Sequence, residues 1–223
     1  MKKITYSILV AIPLLFNACA NKEQQTVSLD SNYKEKLSYL KSKYVEKNEV
    51  KITKETFQEP DKFYTHIVVA PTKMNDRLEW FLEKATEIGV HEITPIICDH
   101  SERKVYKIDR AEKIIQAAMK QSLHYYIPKI NEPISFAQFV KSNFEGQKFI
   151  AHCEETDKKS LKSVLKPNQN IIMLIGPEGD FSEKEITLAL ENDFTAVSLG
   201  NTRLRTETAA IVACHSVVFV NED

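Results

Sequence analysis

At 223 residues, 43% of them hydrophobic, the chain can bury one sizeable core and carry an appendage beside it. Its 30 Lys and Arg against 31 Asp and Glu leave a formal net charge of −1. No global positive field therefore draws it to a nucleic acid, and an RNA partner would have to be met by local patches or by the face of an oligomer.

Residues 1–25 differ in character from the rest. Lys2 and Lys3 precede an apolar run over 8–16, and Asn17, Ala18 and Cys19 follow. A charged segment, a short hydrophobic segment and a lipobox-like cysteine make the layout of a bacterial lipoprotein signal. The run is too short to cross a bilayer as a helix. A short buried element of a degraded N-terminal domain is the alternative, and Phe16 and Asn17 are not the most typical residues before such a cysteine. Residues 26–49 are polar and rich in Lys and Glu, with Leu29, Tyr33, Leu37, Leu40 and Tyr44 at helical spacing, which predicts an exposed amphipathic helix or tether. The expected division is a leader over 1–25, a polar linker over 26–60 and one α/β domain over 61–223.

That domain opens with a predicted strand over 66–70, stopped by Pro71. Asn75 or Asp76 is expected to cap a helix through Ile88, with Gly89 closing it. Leu78, Phe81, Leu82, Ala85 and Ile88 form an apolar stripe along that helix and read as core. Lys73 and Arg77 sit just beyond the strand's end. A second strand is predicted over 90–97, followed by the most basic part of the chain: Arg103, Lys104, Lys107, Arg110, Lys113 and Lys120, interrupted by Asp109 and Glu112. Contact with backbone phosphates and a solvated helix face are both consistent with this spacing. A strand over 149–151 ends at His152 and Cys153, which read as lining a ligand through backbone and packing rather than as base and nucleophile. Cys98, Cys153 and Cys214 show no C-x-x-C spacing, which argues against zinc and for the reduced, semi-buried thiols of a cytosolic protein.

The richest stretch is 171–210, IIMLIGPEGDFSEKEITLALENDFTAVSLGNTRLRTETAA. Residues 171–175 have the continuous apolar pattern of a strand buried on both faces of a parallel sheet. Gly176, Pro177 and Gly179 break it, and Ser182 with Glu185 forms a capping box for a helix to about Asn192. The plan then repeats: a strand over 196–199, a break at Gly200, and Thr206 as the expected cap of an apolar helix over 207–220. Both turns lie where a strand's carboxyl end meets a helix, the usual ligand crevice of open α/β sheets. Glu178, Asp180, Glu183 and Glu185 in the first turn argue against phosphate, and neither turn matches a dinucleotide or P-loop fingerprint. A phosphate-free, cationic nucleoside such as S-adenosylmethionine suits them. Glycine turns are also what any α/β domain requires, so spacing alone leaves the ligand open.

IGPEGDFSEKE and SLGNTRLRTETAA resemble the signature segments of the RsmE-type 16S rRNA methyltransferases, knotted enzymes of the SPOUT class that methylate a uridine at N3. The resemblance extends upstream through VVAPTKMNDRLEWFLEKATEIGVHEITPI, SERK and AMKQS, and covers residues 50–223. It implies an α/β fold with a parallel sheet, helices on both faces and a C-terminal trefoil knot, joined to an N-terminal extension foreign to the family. Of the family's N-terminal PUA-like barrel, only EVKITKETF, over 49–57, looks like a remnant, its last strand.

The resemblance further implies an S-adenosylmethionine cofactor, the 16S rRNA of the small ribosomal subunit as partner and a homodimer, and the cysteine pattern adds the expectation of no metal and a cytoplasmic location. Membrane attachment through Cys19 is the alternative. Expected cofactor contacts are Ile175, Gly176, Pro177, Glu178, Gly179, Leu199, Gly200, Leu204, Arg205 and Thr206. Lys73, Arg77 and Arg103 are the expected RNA contacts. Because uridine N3 carries a proton at neutral pH, a base must remove it or a cation must stabilise the uracil anion. Arg205 is assigned the electrostatic role, with Glu207 or Glu178 orienting groups or relaying the proton. An inactive or repurposed, exported binding protein of the same fold is the second reading.

Overall fold

The structure, a computed structural model, describes residues 61–154 and 157–222. The expectations for the leader, Cys19, the polar linker and residues 49–57 lie outside the described residues. Eight strands alternate with six helices among those described. The strands are β1 (Thr65–Val69), β2 (Glu92–Ile97), β3 (Lys129–Ile130), β4 (Ile134–Ser135), β5 (Gln147–Ala151), β6 (Lys159–Ser160), β7 (Ile171–Ile175) and β8 (Thr195–Ser198). The helices are α1 (Asn75–Ile88), α2 (Ile108–Gln121), α3 (Phe136–Phe139), α4 (Leu161–Val164), α5 (Glu183–Glu191) and α6 (Thr206–Asn221).

All strand pairings are parallel, in the order β3-β2-β1-β7-β5-β8-β6, with β4 also on β2. A parallel sheet needs both faces covered, and the pleat of the central strands supplies two apolar surfaces. Ile67, Val69, Ile171, Met173 and Ile175 pack with Leu78, Phe81 and Leu82 of α1, Ala111 and Ile115 of α2, and Ala210, Ala213 and Val217 of α6. On the other face, Val68, Ile172 and Leu174 meet Phe136 and Phe139 of α3 and Ile186 and Ala189 of α5. Every residue of β7 is buried. Truncating one of these side chains, as in Leu174→Ala, is expected to cost about 2–5 kcal/mol.

Local chemistry sets some helix ends and tertiary contacts set others. The capping box of α5 forms as its sequence predicts: Glu185 N–H donates to Ser182 Oγ at 3.3 Å, and Ser182 N–H donates to Glu185 Oε2 at 2.9 Å. Gly89 closes α1 in the left-handed region at φ 108°, its N–H on the Ala85 carbonyl. The expected starts of α1 and α6 need correction. Met74 rather than Asn75 or Asp76 occupies the cap position of α1, and Arg205 rather than Thr206 that of α6, neither with a side-chain cap. In α1 the preceding loop is held from outside instead. Arg103 donates to the Thr72 and Lys73 carbonyls at 3.2 and 2.8 Å, and the Lys73 N–H donates to Glu178 at 2.9 Å.

Candidate active site

The carboxyl ends of β5, β7 and β8 lie side by side, Ala151 being paired with both Ile175 and Val197. One residue further, the chain enters the two glycine bends and passes His152 between them. The first turn of α6 closes the fourth side. Together they wall a cavity of about 620 Å³, within the ~300–1,000 Å³ typical of small-molecule sites.

The first bend is a turn closed by the Asp180 N–H on the Pro177 carbonyl at 3.0 Å, with Asp180 at φ 64°. Its carboxylates hold the loops. Asp180 accepts from the Phe181 N–H at 2.8 Å and from the Cys153 N–H at 2.6 Å, tying the β7 loop to the β5 exit. Glu178 ties it to the β1 loop through Lys73. Glu185, with one oxygen on Ser182, takes the Asp99 N–H at 2.9 Å on the other. The bend is also tightly packed, since a Cβ on Gly176 would meet the buried Phe181 ring, and one on Gly179 the His100 side chain, each at 3.1 Å. Gly200 in the second bend is different: its φ of +138° favours glycine, yet nothing lies within 4 Å of where a Cβ would be. The space beside it is open.

The charge balance corrects the sequence picture of an acidic cup. Glu178 and Asp180 line the cavity, but so do Lys158, Arg203 and Arg205. Cations outnumber carboxylates, so the first turn's sequence alone misjudges the field. Lys158 is held by the carbonyls of His152 and Glu154, at 3.0 and 2.6 Å.

Two buried side chains here carry polar atoms without a partner. His152 is 7% exposed, and neither ring nitrogen makes a hydrogen bond. Burial, and then the nearby Lys158 ammonium, hold the imidazole below its ordinary pKa, so it is neutral at pH 7. Glu207, 8% exposed, takes Arg77 Nη1 at 3.2 Å on one oxygen, while the other has no donor. A buried, unsatisfied polar atom is costly and calls for an explanation.

Of the expected cofactor contacts, Ile175, Gly176, Pro177, Glu178, Leu199, Gly200, Leu204, Arg205 and Thr206 line the cavity. Gly179 does not; it backs onto His100. Glu207 stands outside the lining. The three cations expected to reach RNA all have partners within the chain: Arg77 on Glu207, Lys73 Nζ on Glu102 at 2.8 Å, and Arg103 on the two carbonyls. Sequence reading undervalued His152 and missed Lys158, Asn201 and Ala209 as lining, while it placed Asp180 and Arg203 at the two turns. His152 had a signal, its place at a strand exit, whereas Lys158 had none. Among the described residues no group of three His, Cys, Asp or Glu side chains is placed to hold a metal ion. Burial raises the thiol pKa of Cys214 to about 12 and also pushes Cys98 up.

Residues 59–218 match the RNA methyltransferase domain. The chain belongs to the RNA methyltransferase family. Members near it include the ribosomal RNA small subunit methyltransferase E of Bacillus subtilis, 28% identical over 186 residues, 76% of this chain and 70% of that protein. A probable rRNA-methyltransferase of Porphyromonas gingivalis is 40% identical with a TM-score of 0.71, over 75% of this chain and 71% of that one. The methyltransferase E of Neisseria gonorrhoeae, solved bound to S-adenosylmethionine, is 29% identical with a TM-score of 0.63, over 69% and 65%. The family match falls on the domain whose strand ends build the cavity.

Proposed function

We propose that the chain methylates N3 of a uridine in the 16S rRNA of the small ribosomal subunit, with S-adenosylmethionine held in the cavity between the two glycine bends. One observation carries the reading: the two signature segments, separate in sequence, wall one cavity that contains open space at Gly200 and an unpartnered neutral imidazole at His152. These residues fit the cofactor. Apolar walls from Ile175, Val197 and Leu199 suit a nucleoside, and the mixed charges of Glu178, Asp180, Arg203 and Arg205 suit an amino-acid end bearing both signs. When bound, S-adenosylmethionine supplies a methyl group on a sulfonium.

The chain's own work is positioning and charge handling. Arg205, exposed at the cavity wall, offers its guanidinium to the negative charge that uracil gains when N3 loses its proton. Glu178 lines the cavity and is the better placed of the two candidate proton acceptors. Glu207 acts from behind the wall by fixing Arg77. Lys73, its side chain 65% exposed, can exchange Glu102 for an RNA phosphate. The reading includes a cytoplasmic location and a homodimer, the latter supported by Trp80 on α1 and Phe219 on α6, large apolar residues 46% and 67% exposed on neighbouring helices. The leader favours one second reading, a lipid-anchored protein. Mass spectrometry of the native N-terminus separates the two, an acylated Cys19 against an unprocessed chain.

The activity is tested by incubating the full chain with small ribosomal subunits and methyl-labelled S-adenosylmethionine, then digesting the rRNA to nucleosides. Label in 3-methyluridine is the expected result. Label in any other nucleoside, or none when the cofactor binds, overturns the assignment.

A further inference from the structure

We propose that His152 recognises the nucleoside half of the methyl donor, its imidazole giving one hydrogen bond and accepting another. This rests on the reading of the cavity as the donor's site. The chain has no internal use for the ring: His152 is 7% exposed, yet both nitrogens lack partners. The buried His66 and the half-buried His91 have partners inside the chain. His66 Nε2 lies 2.7 Å from Thr94 Oγ1, and His91 takes the Thr65 N–H on Nδ1 and meets Asp61 through Nε2 at 3.0 Å. The peptide unit that follows His152 is held at both its polar groups, by Lys158 on the carbonyl and by Asp180 on the Cys153 N–H, which fixes the backbone from which the ring projects. Strand register puts that backbone between Gly176 and Ser198, where the two bends face each other across β5.

The choice of half follows from chemistry. Held neutral, the imidazole has one N–H and one lone pair in the ring plane. An adenine edge or a ribose diol, each presenting donors and acceptors without net charge, is its complement. The carboxylate and ammonium at the other end of the donor find formal charges elsewhere on the wall, in Arg203, Arg205, Glu178 and Asp180. A neutral ring there would leave one of its two nitrogens unmatched.

The experiment is titration calorimetry of the full chain and its His152→Ala and His152→Gln variants with S-adenosylmethionine, S-adenosylhomocysteine and 5′-methylthioadenosine, the last lacking the amino-acid end. Losing hydrogen bonds inside a buried site should weaken His152→Ala by about 10- to 30-fold for all three ligands alike, with partial recovery in His152→Gln. Affinity for S-adenosylmethionine that falls while that for 5′-methylthioadenosine holds overturns the inference, as does unchanged affinity for all three. A parent protein that binds none of them overturns the reading of the cavity as well. Should the variants fail to fold, ¹H–¹⁵N correlation of the imidazole in the labelled parent decides the matter. Ring nitrogens that move on adding 5′-methylthioadenosine support the contact, and unmoved ones refute it.

Discussion

The two ends of one parallel sheet treat buried polar groups in opposite ways. At the amino end, Glu92 accepts from the Tyr64 hydroxyl at 2.9 Å, Lys129 at 2.8 Å and Asn131 at 2.6 Å, and His66 meets Thr94. Only the Thr65 hydroxyl there is left without a partner among the described residues. At the carboxyl end, the two nitrogens of His152 and one oxygen of Glu207 are left so. The glycines repeat the contrast. Gly146, just before β5, has φ +141°, and its Cβ would fall 2.2 Å from the Asn170 carbonyl oxygen, whereas Gly200, just after β8, has φ +138° and empty space. One end is finished by the protein; the other is left for something the protein binds.

Perturbing each end should therefore give different readouts. The largest effect is expected from Gly146→Ala, where a backbone clash joins a disfavoured φ, with a loss of about 4 kcal/mol of stability in denaturant titration. Next, Glu92→Ala strands three donors and should cost about 3 kcal/mol while leaving S-adenosylmethionine affinity within twofold by calorimetry. Coupled loss of both would break the separation of the two ends.

Acid should act at the amino end too. Burial depresses the His66 pKa from 6.5 to about 4, so the unfolded chain binds the proton first. Stability is then full above pH 6.5 and falls as pH drops towards 4, by up to about 3 kcal/mol. Burial pushes the Glu92 pKa up, but hydrogen bonds from Asn131, Lys129 and Tyr64 and the nearby His66 outweigh it and lower it to about 2, so Glu92 adds a further loss only below about pH 4.5. Unfolding curves from pH 8 to 4 check this, and His66→Gln should flatten the slope above pH 4.5.

At the carboxyl end, Gly200→Val should weaken S-adenosylmethionine binding by about 30-fold, or about 2 kcal/mol, through strain in the bend and loss of the open space. The smallest effect is expected from Arg103→Ala. By freeing the Thr72 and Lys73 carbonyls it loosens the loop that Glu178 grips, so cofactor affinity should fall about threefold, which is about 0.7 kcal/mol. An unchanged cofactor affinity with weakened rRNA binding would return Arg103 to the role expected from sequence.

What was legible in the sequence was what is decided within a few residues. Ser182 and Glu185 announce their capping box because both partners lie in one turn, and Gly89 announces its left-handed cap. The two glycine bends could be placed because buried strands and breakers alternate there in an unmistakable order. Contacts between segments distant in sequence were not legible. Arg103 reads as a free cation until folding brings it to Thr72, and Glu178 and Asp180 read as an acidic field until their oxygens are found on N–H groups of other loops. For the same reason α1 starts without the side-chain cap that its sequence offered, its loop being held by Arg103 and Glu178 instead.

The most direct test is hydrogen exchange of the full chain, read by mass spectrometry with and without saturating S-adenosylmethionine. Slowed exchange should concentrate in residues 151–153, 175–180 and 198–206, with no change around Tyr64, Glu92 and Lys129. Protection spread evenly over the domain, or centred on the amino end of the sheet, would contradict the assignment of the cavity.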